Sequence, residues 1–234
     1  MIQIPKLDKW KIEFPKPSSA NEDGIVAWGG DLTPSRLIRA YQEGIFPWFS
    51  KDDPILWWSP NPRFILDFED FKLRKSLKKS LKKFTYKFDT NFSQVINECA
   101  SIPREGQNGT WIVPEMTEAY KTLFDMGYVH CVESYFDGEL IGGLYGVTVG
   151  GVFCGESMFS KKSDASKSAF YVLVKHLQHW GYSFIDAQVY TPHLESLGAK
   201  EIKREEFLKR LHQVRFNNIS HKWQIDNELI NKII

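Results

Sequence analysis

The sequence predicts an α+β protein with a small N-terminal α/β domain over residues 1–62. A second domain, over 63–234, carries a mixed, mostly antiparallel sheet. Three observations support this. Strand-like runs at 129–136, 139–149 and 152–159 follow one another through the short turns Asp137-Gly138 and Gly150-Gly151, the pattern of antiparallel hairpins. A helix-like run at 164–180, stopped by Gly181, is followed by a strand at 183–189, a short element at 193–199, a strand at 200–202 and a helix at 204–214. A proline cluster around residue 60 marks the boundary between the two domains.

Composition narrows the classes of function. The 234 residues are 42% apolar, enough for a full core, and the formal charge of +1 leaves a polyanion only a local patch to bind. No apolar run approaches the roughly 18 residues of a membrane span, and the first residues lack a signal-peptide core, so a cytoplasmic protein without a membrane partner is expected. Cys99, Cys131 and Cys154 are odd in number and widely spaced, which predicts buried thiols rather than a disulfide framework. His176 and His179 lie three apart on a helix with no third ligand in view, so no metal is expected.

Taken along the chain, Thr33 caps a helix that has Pro34 in its first turn, Leu37, Ile38 and Tyr41 as its apolar stripe and Gly44 as its stop. Residues 44–62 hold three tryptophans and four prolines. Proline stiffens the backbone that carries the rings, which serve either a small aromatic core or a binding surface. Residues 71–84 place Leu73, Leu77, Leu81 and Phe84 on one helical stripe. Their other faces carry Lys72, Arg74, Lys75, Lys78, Lys79, Lys82 and Lys83, with Lys87 nearby and no acid interleaved. Like charges at that spacing repel, and a phosphate backbone relieves the repulsion. Helices at 92–100 and 115–126 flank a turn at 109–115 that bears Trp111.

Two strand centres carry polar groups. Glu156 interrupts the apolar run 151–159, and a carboxylate there must be solvated or paired, so a cationic partner is expected. Asp186 and Gln188, two apart, share one face of the strand 183–189. Together they point to a cleft.

The element order resembles the acetyltransferase-like fold of the GNAT superfamily. An acetyl-CoA enzyme needs a glycine-rich turn before its helix to hold pyrophosphate, but residues 160–166 contain no glycine. Gly142, Gly143 and Gly146 lie within a strand and open no helix. An acetyltransferase and a non-catalytic RNA-binding module stand as the two alternatives. The missing glycine loop speaks against the first. The second explains the lysines and tryptophans but not the acidic strand centres.

The runs GIFPWF, DPILWWSP, GTWI, ELIGG, FCGESMFS, ASK, IDAQV and SLGAKEI, in that order from Gly24 to about Leu211, resemble the leucyl/phenylalanyl-tRNA-protein transferase family. The resemblance implies transfer of Leu or Phe, less readily Met, from aminoacyl-tRNA to proteins beginning with Arg or Lys, which marks them for N-end rule degradation. It implies no metal or dissociable cofactor, and a monomer is expected. By the same resemblance, Leu144, Phe153, Gly155, Met158, Leu173, Leu177 and Ile185 form the aminoacyl pocket. Related enzymes often carry Met or Phe where this chain has Leu144, Leu173 and Leu177. Tyr41, Phe46, Trp48 and Trp111 would receive the terminal adenosine, and Arg74, Lys75, Lys78, Lys79, Lys82 and Lys83 the tRNA backbone. Glu156 would face the acceptor's cation. Asp186 and Gln188 would lie near the attacking amine, a role suggested for the family being that Gln188 accepts the proton with help from Asp186. An amide oxygen is too weak a base to retain a proton near neutral pH, so the residues themselves point to Gln188 orienting the amine and Asp186 stabilising positive charge, while a ribose hydroxyl or water carries the proton. Phe153 and Met158 would face opposite sides of a regular strand, so one shared pocket requires a break at Gly155.

Overall fold

The computed structural model describes residues 4–102 and 111–234. Two sheets organise the chain. The first holds β1 (Lys6–Leu7), β2 (Ile25–Gly29), β3 (Phe46–Pro47) and β4 (Leu56–Trp58) in the order β1-β2-β4-β3, with α1 (Pro34–Gln42) joining β2 to β3. Thr33 occupies the N-cap, but its amide and hydroxyl both donate to Asp31 Oδ1, at 3.0 and 2.6 Å. The carboxylate of Asp31 therefore does the securing, and it also binds the buried Arg36.

The second sheet holds β5 (Arg63–Leu66), β6 (Thr85–Phe88), β7 (Val129–Phe136), β8 (Glu139–Val149), β9 (Val152–Ser160), β10 (Phe184–Gln188) and β11 (Lys200–Ile202). Their order is β11-β5-β10-β9-β8-β7-β6, antiparallel except for the parallel pair β9 and β10. This is the α+β arrangement with a mixed, mostly antiparallel sheet that the element order predicts. The helices are α2 (Lys75–Leu81), α3 (Phe92–Ser101), α4 (Pro114–Asp125), α5 (Ala165–Trp180), α6 (Pro192–Ser196), α7 (Arg204–Val214) and α8 (Asn227–Ile233).

Three placements differ from the sequence reading. β5, read only as the start of a domain, inserts between β10 and β11 with all four residues buried. β6 adds an edge strand whose alternate residues Tyr86 and Phe88 are buried. The lysine-rich helix is half its expected length: the Lys72 amide donates to the Leu197 carbonyl at 2.8 Å, Arg74 is extended, and the helix runs only from Lys75 to Leu81.

α5 packs on β8 so closely that a Cβ on Gly142 would stand 2.6 Å from the Ala165 Cβ. That glycine serves packing. The tail folds back onto the core: Trp223 stacks on His130 with ring centroids 3.8 Å apart, and Ile225 and Ile230 pack on the same cluster. All three cysteines are buried. No helix among the described residues is long and apolar enough to cross a membrane.

Candidate active site

The site forms where two strands lose their regularity. Between β8 and β9, Tyr145 pairs with Ser157 and Gly146 with Gly155, which leaves Glu156 as an extra, bulged residue. The break falls at the expected place, and it lets Phe153 and Met158 line one cavity. Only glycine fits at 146, since a Cβ there would lie 2.5 Å from the Phe153 ring. Across from the bulge, the pairing of β10 with β9 ends at Asp186 and Cys154. The register of β10 against β5 then shifts, and Gln188 turns into the left-handed region at φ 64°. The strands separate around a cavity of about 340 Å³.

Glu156 projects into this cavity, the one carboxylate among the described residues that line it. Its expected cationic partner is not what the structure provides. Tyr41 donates to Oε1 at 2.8 Å, Tyr120 to Oε2 at 2.9 Å, and Gln188 Nε2 to Oε1 at 2.7 Å. All three donors are neutral. Burial pushes the Glu156 carboxyl up to about 7, against the pull of those hydrogen bonds.

The cation goes to Asp186 instead. Arg63, at the start of β5, forks it from Nε at 2.8 Å and Nη2 at 2.6 Å, with both side chains 1% exposed. The guanidinium lies between the rings of Phe46 and Phe207, 4.9 and 4.4 Å from their centroids. Asp186 Oδ1 also accepts the Gln188 amide at 3.0 Å, which holds the left-handed turn. Asp186 thus fixes the backbone that aims Gln188 and does not itself line the cavity.

Leu144, Phe153, Gly155, Met158 and Ile185 line the cavity, with Leu144 and Met158 directly paired across β8 and β9. Leu173 and Leu177 do not; they are fully buried on α5, and Phe170 of the same helix stands at the wall. Phe46, Trp48 and Trp111 line the cavity too. Tyr41 is placed differently: it is 2% exposed and its hydroxyl is committed to Glu156, so it offers no face for stacking. Trp57 is core, fully buried, so the aromatic segment divides between packing and the cavity. Gly109 and Thr110 lie outside the described residues.

Arg74, Lys75, Lys78, Lys79, Lys82 and Lys83 are all exposed around α2. Leu77 and Leu81 anchor that helix beneath them. Among the described residues no group of three His, Cys, Asp or Glu could hold a metal ion.

Comparison with known proteins bears on this geometry. The Leucyl/phenylalanyl-tRNA protein transferase family matches residues 65–212, and its N-terminal domain matches residues 30–61. A leucyl/phenylalanyl-tRNA–protein transferase from Sulfurimonas denitrificans is 65% identical over 95% of this chain and 97% of that protein. The chain belongs to this family. Another transferase of the same name, from Desulfatibacillum aliphaticivorans, is 52% identical over 92% of this chain and 94% of its own length. A GCN5-related N-acetyltransferase from Kribbella flavida is similar at a TM-score of 0.35 and 12% identity, covering 72% of this chain and 60% of its own, too low a likeness to bear on function.

As a member of the leucyl/phenylalanyl-tRNA protein transferase family, the chain is an aminoacyltransferase. The start of α5 fits a non-CoA donor. Asp164 stands at its N-cap, where a cofactor pyrophosphate would need bare amides, and its carboxylate accepts Ser80 Oγ at 3.0 Å.

The sequence reading does not reach Arg63, Tyr120 or Phe170. Signals for the first two exist. Arg63 opens an otherwise apolar strand, and Tyr120 sits one turn from Met116 on a buried stripe, where a hydroxyl needs a partner. Phe170 carries no such mark, because all of α5 reads as core.

Proposed function

We propose that the enzyme moves Leu or Phe, less readily Met, from aminoacyl-tRNA to the α-amino group of proteins beginning with Arg or Lys, marking them for N-end rule degradation. The observation that carries this reading is an apolar cavity with a single carboxylate on its wall. An unbranched or γ-branched side chain fits such a cavity, and the cationic side chain of a first-residue Arg or Lys complements such a charge. The donor ester supplies its own activation, so no dissociable cofactor or metal is needed. The enzyme works as a cytoplasmic monomer.

In this reading Leu144, Phe153, Met158, Ile185 and Phe170 hold the donor side chain. β-branched donors are rejected by crowding near Cβ. Trp48 and Trp111 stack the terminal adenosine, a contact worth about 1–3 kcal/mol per base and indifferent to pairing. Phe46 lines the same cavity. The cations around α2 hold the tRNA body through phosphate, where they position rather than specify. Ester aminolysis is downhill, so orientation supplies much of the rate. Gln188, aimed by Asp186 and Arg63, presents its amide oxygen to the amine.

A panel of peptides differing only in the first residue tests the acceptor half of the proposal. With Leu-tRNA as donor, Arg- and Lys-starting peptides are modified and Ala- and Glu-starting ones are not. Equal modification of all four would contradict it.

A further inference from the structure

The triangle of Glu156, Tyr41 and Tyr120 is one proton short when the carboxyl is ionised. Its three edges all have hydrogen-bond length: 2.8 Å from Tyr41 to Oε1, 2.9 Å from Tyr120 to Oε2, and 2.6 Å between the two phenol oxygens. Each phenol has one proton to give, so two protons serve three contacts. The Gln188 amide adds a donor to Oε1 but none to the ring. A proton on Glu156 supplies the missing one, and the ring closes with one donor per edge.

We infer that Glu156 is the proton acceptor of the transfer reaction, taking a proton from the acceptor's α-ammonium to free the amine that then attacks the aminoacyl ester. This rests on the function proposed above and adds a step to it. The new C–N bond forms as the bond from the carbonyl carbon to the terminal ribose oxygen breaks. Nitrogen sheds two protons. One goes to Glu156 and is later released to solvent; the other goes to the departing ribose oxygen.

The neighbouring groups are poorer candidates. Asp186 is forked by Arg63 and lies off the cavity wall. The Gln188 amide oxygen is far too weak a base to retain a proton near neutrality. The titratable groups around Glu156 are Tyr41 from α1, Tyr120 from α4, Cys154 from β9, Asp186 from β10 and, on the same cavity wall, Tyr145 from β8 and His193 from α6. Burial holds the Tyr41 and Tyr120 phenols and the Cys154 thiol protonated well above neutral pH and lowers His193. Glu156, near 7, matches the task of exchanging a proton at physiological pH.

Single-turnover transfer from pre-bound Leu-tRNA to an Arg-starting peptide, measured from pH 6 to 9, tests this in the wild type and in Glu156→Gln. At pH 7 the variant is expected to lose about 10²–10⁴-fold in kcat with little change in KM. The deficit shrinks as pH passes the acceptor amine's own pKa, about 8, because the amine then arrives deprotonated. Wild-type kcat/KM rises through pH about 7, and Tyr41→Phe, which removes a donor to the carboxylate, moves that rise upward. This second readout does not depend on the Gln variant folding. A pH-independent deficit, a loss confined to KM, or an unmoved rise in Tyr41→Phe would overturn the inference and leave the proposed function standing. No transfer by the wild type from Leu-, Phe- or Met-tRNA would remove both.

Discussion

Gln188 Nε2 lies 2.7 Å from Glu156 Oε1, a hydrogen bond that bridges β9 and β10 beyond the point where their backbone pairing has stopped at Cys154 and Asp186. The two strands have separated, and a side-chain bond spans the opening. Each partner owes its position to a local irregularity, Glu156 to the bulge after Gly155 and Gln188 to its left-handed turn. The site therefore stores a cost in stability that single substitutions should release or enlarge.

Glu156 carries part of that cost. Its pKa is raised by burial from 4.5 to about 7, so between these values the unfolded chain releases the proton more readily than the folded one. The stability it contributes is fully present below 4.5 and is lost as pH rises through 7, a loss of a few kcal/mol. Glu156→Gln should match the wild type at pH 5 and exceed it by about 2–3 kcal/mol at pH 8 in urea unfolding. A difference that stays constant with pH would contradict the assignment.

The Arg63–Asp186 pair gives the opposite result. Arg63→Met leaves a buried carboxylate without its cation and should cost about 3–5 kcal/mol, whereas Arg63→Met with Asp186→Leu should recover most of that stability. Activity should not return with it, because the Gln188 amide has lost its anchor on Asp186. Denaturant unfolding alongside transfer assays separates the two effects.

The cavity wall separates two residues of α5. Phe170→Leu enlarges the cavity directly and should shift the donor ratio toward Phe over Leu by about 1–3 kcal/mol, or roughly 10- to 200-fold. Leu177→Ala lies behind the wall and should cost about 2–5 kcal/mol of stability with a smaller change in donor ratio. Competition between labelled Leu-tRNA and Phe-tRNA reads both.

Much of this was legible before the fold was known. The hairpin turns Asp137-Gly138 and Gly150-Gly151 placed three central strands, because left-handed turn residues leave few other structures open. The bulge at Gly155 followed from requiring Phe153 and Met158 to share a cavity. The partners of the charges were not legible. Glu156 and Asp186 are both acids in apolar strands, and which one receives Arg63 depends on β5 inserting beside β10, a pairing made across more than a hundred residues. Periodicity records what is buried on a helix but not what is buried behind it. Leu173, Leu177 and Phe170 therefore looked alike, and only Phe170 reaches the cavity.

The exposed cations around α2 should act on the tRNA body alone. Reversing Lys78, Lys79, Lys82 and Lys83 to Glu should weaken transfer from Leu-tRNA while sparing a minimal leucyl-adenosine donor, and should flatten the salt dependence of binding. Equal losses with both donors would contradict the assignment.

The most direct measurement follows radiolabelled leucine from Leu-tRNA to an Arg-starting peptide, with acetyl-CoA offered in a parallel reaction. The account predicts label at the peptide's amino terminus, released as its first residue on stepwise degradation, and no acetylation. Acetylated peptide, or no transfer from Leu-, Phe- or Met-tRNA, would contradict it.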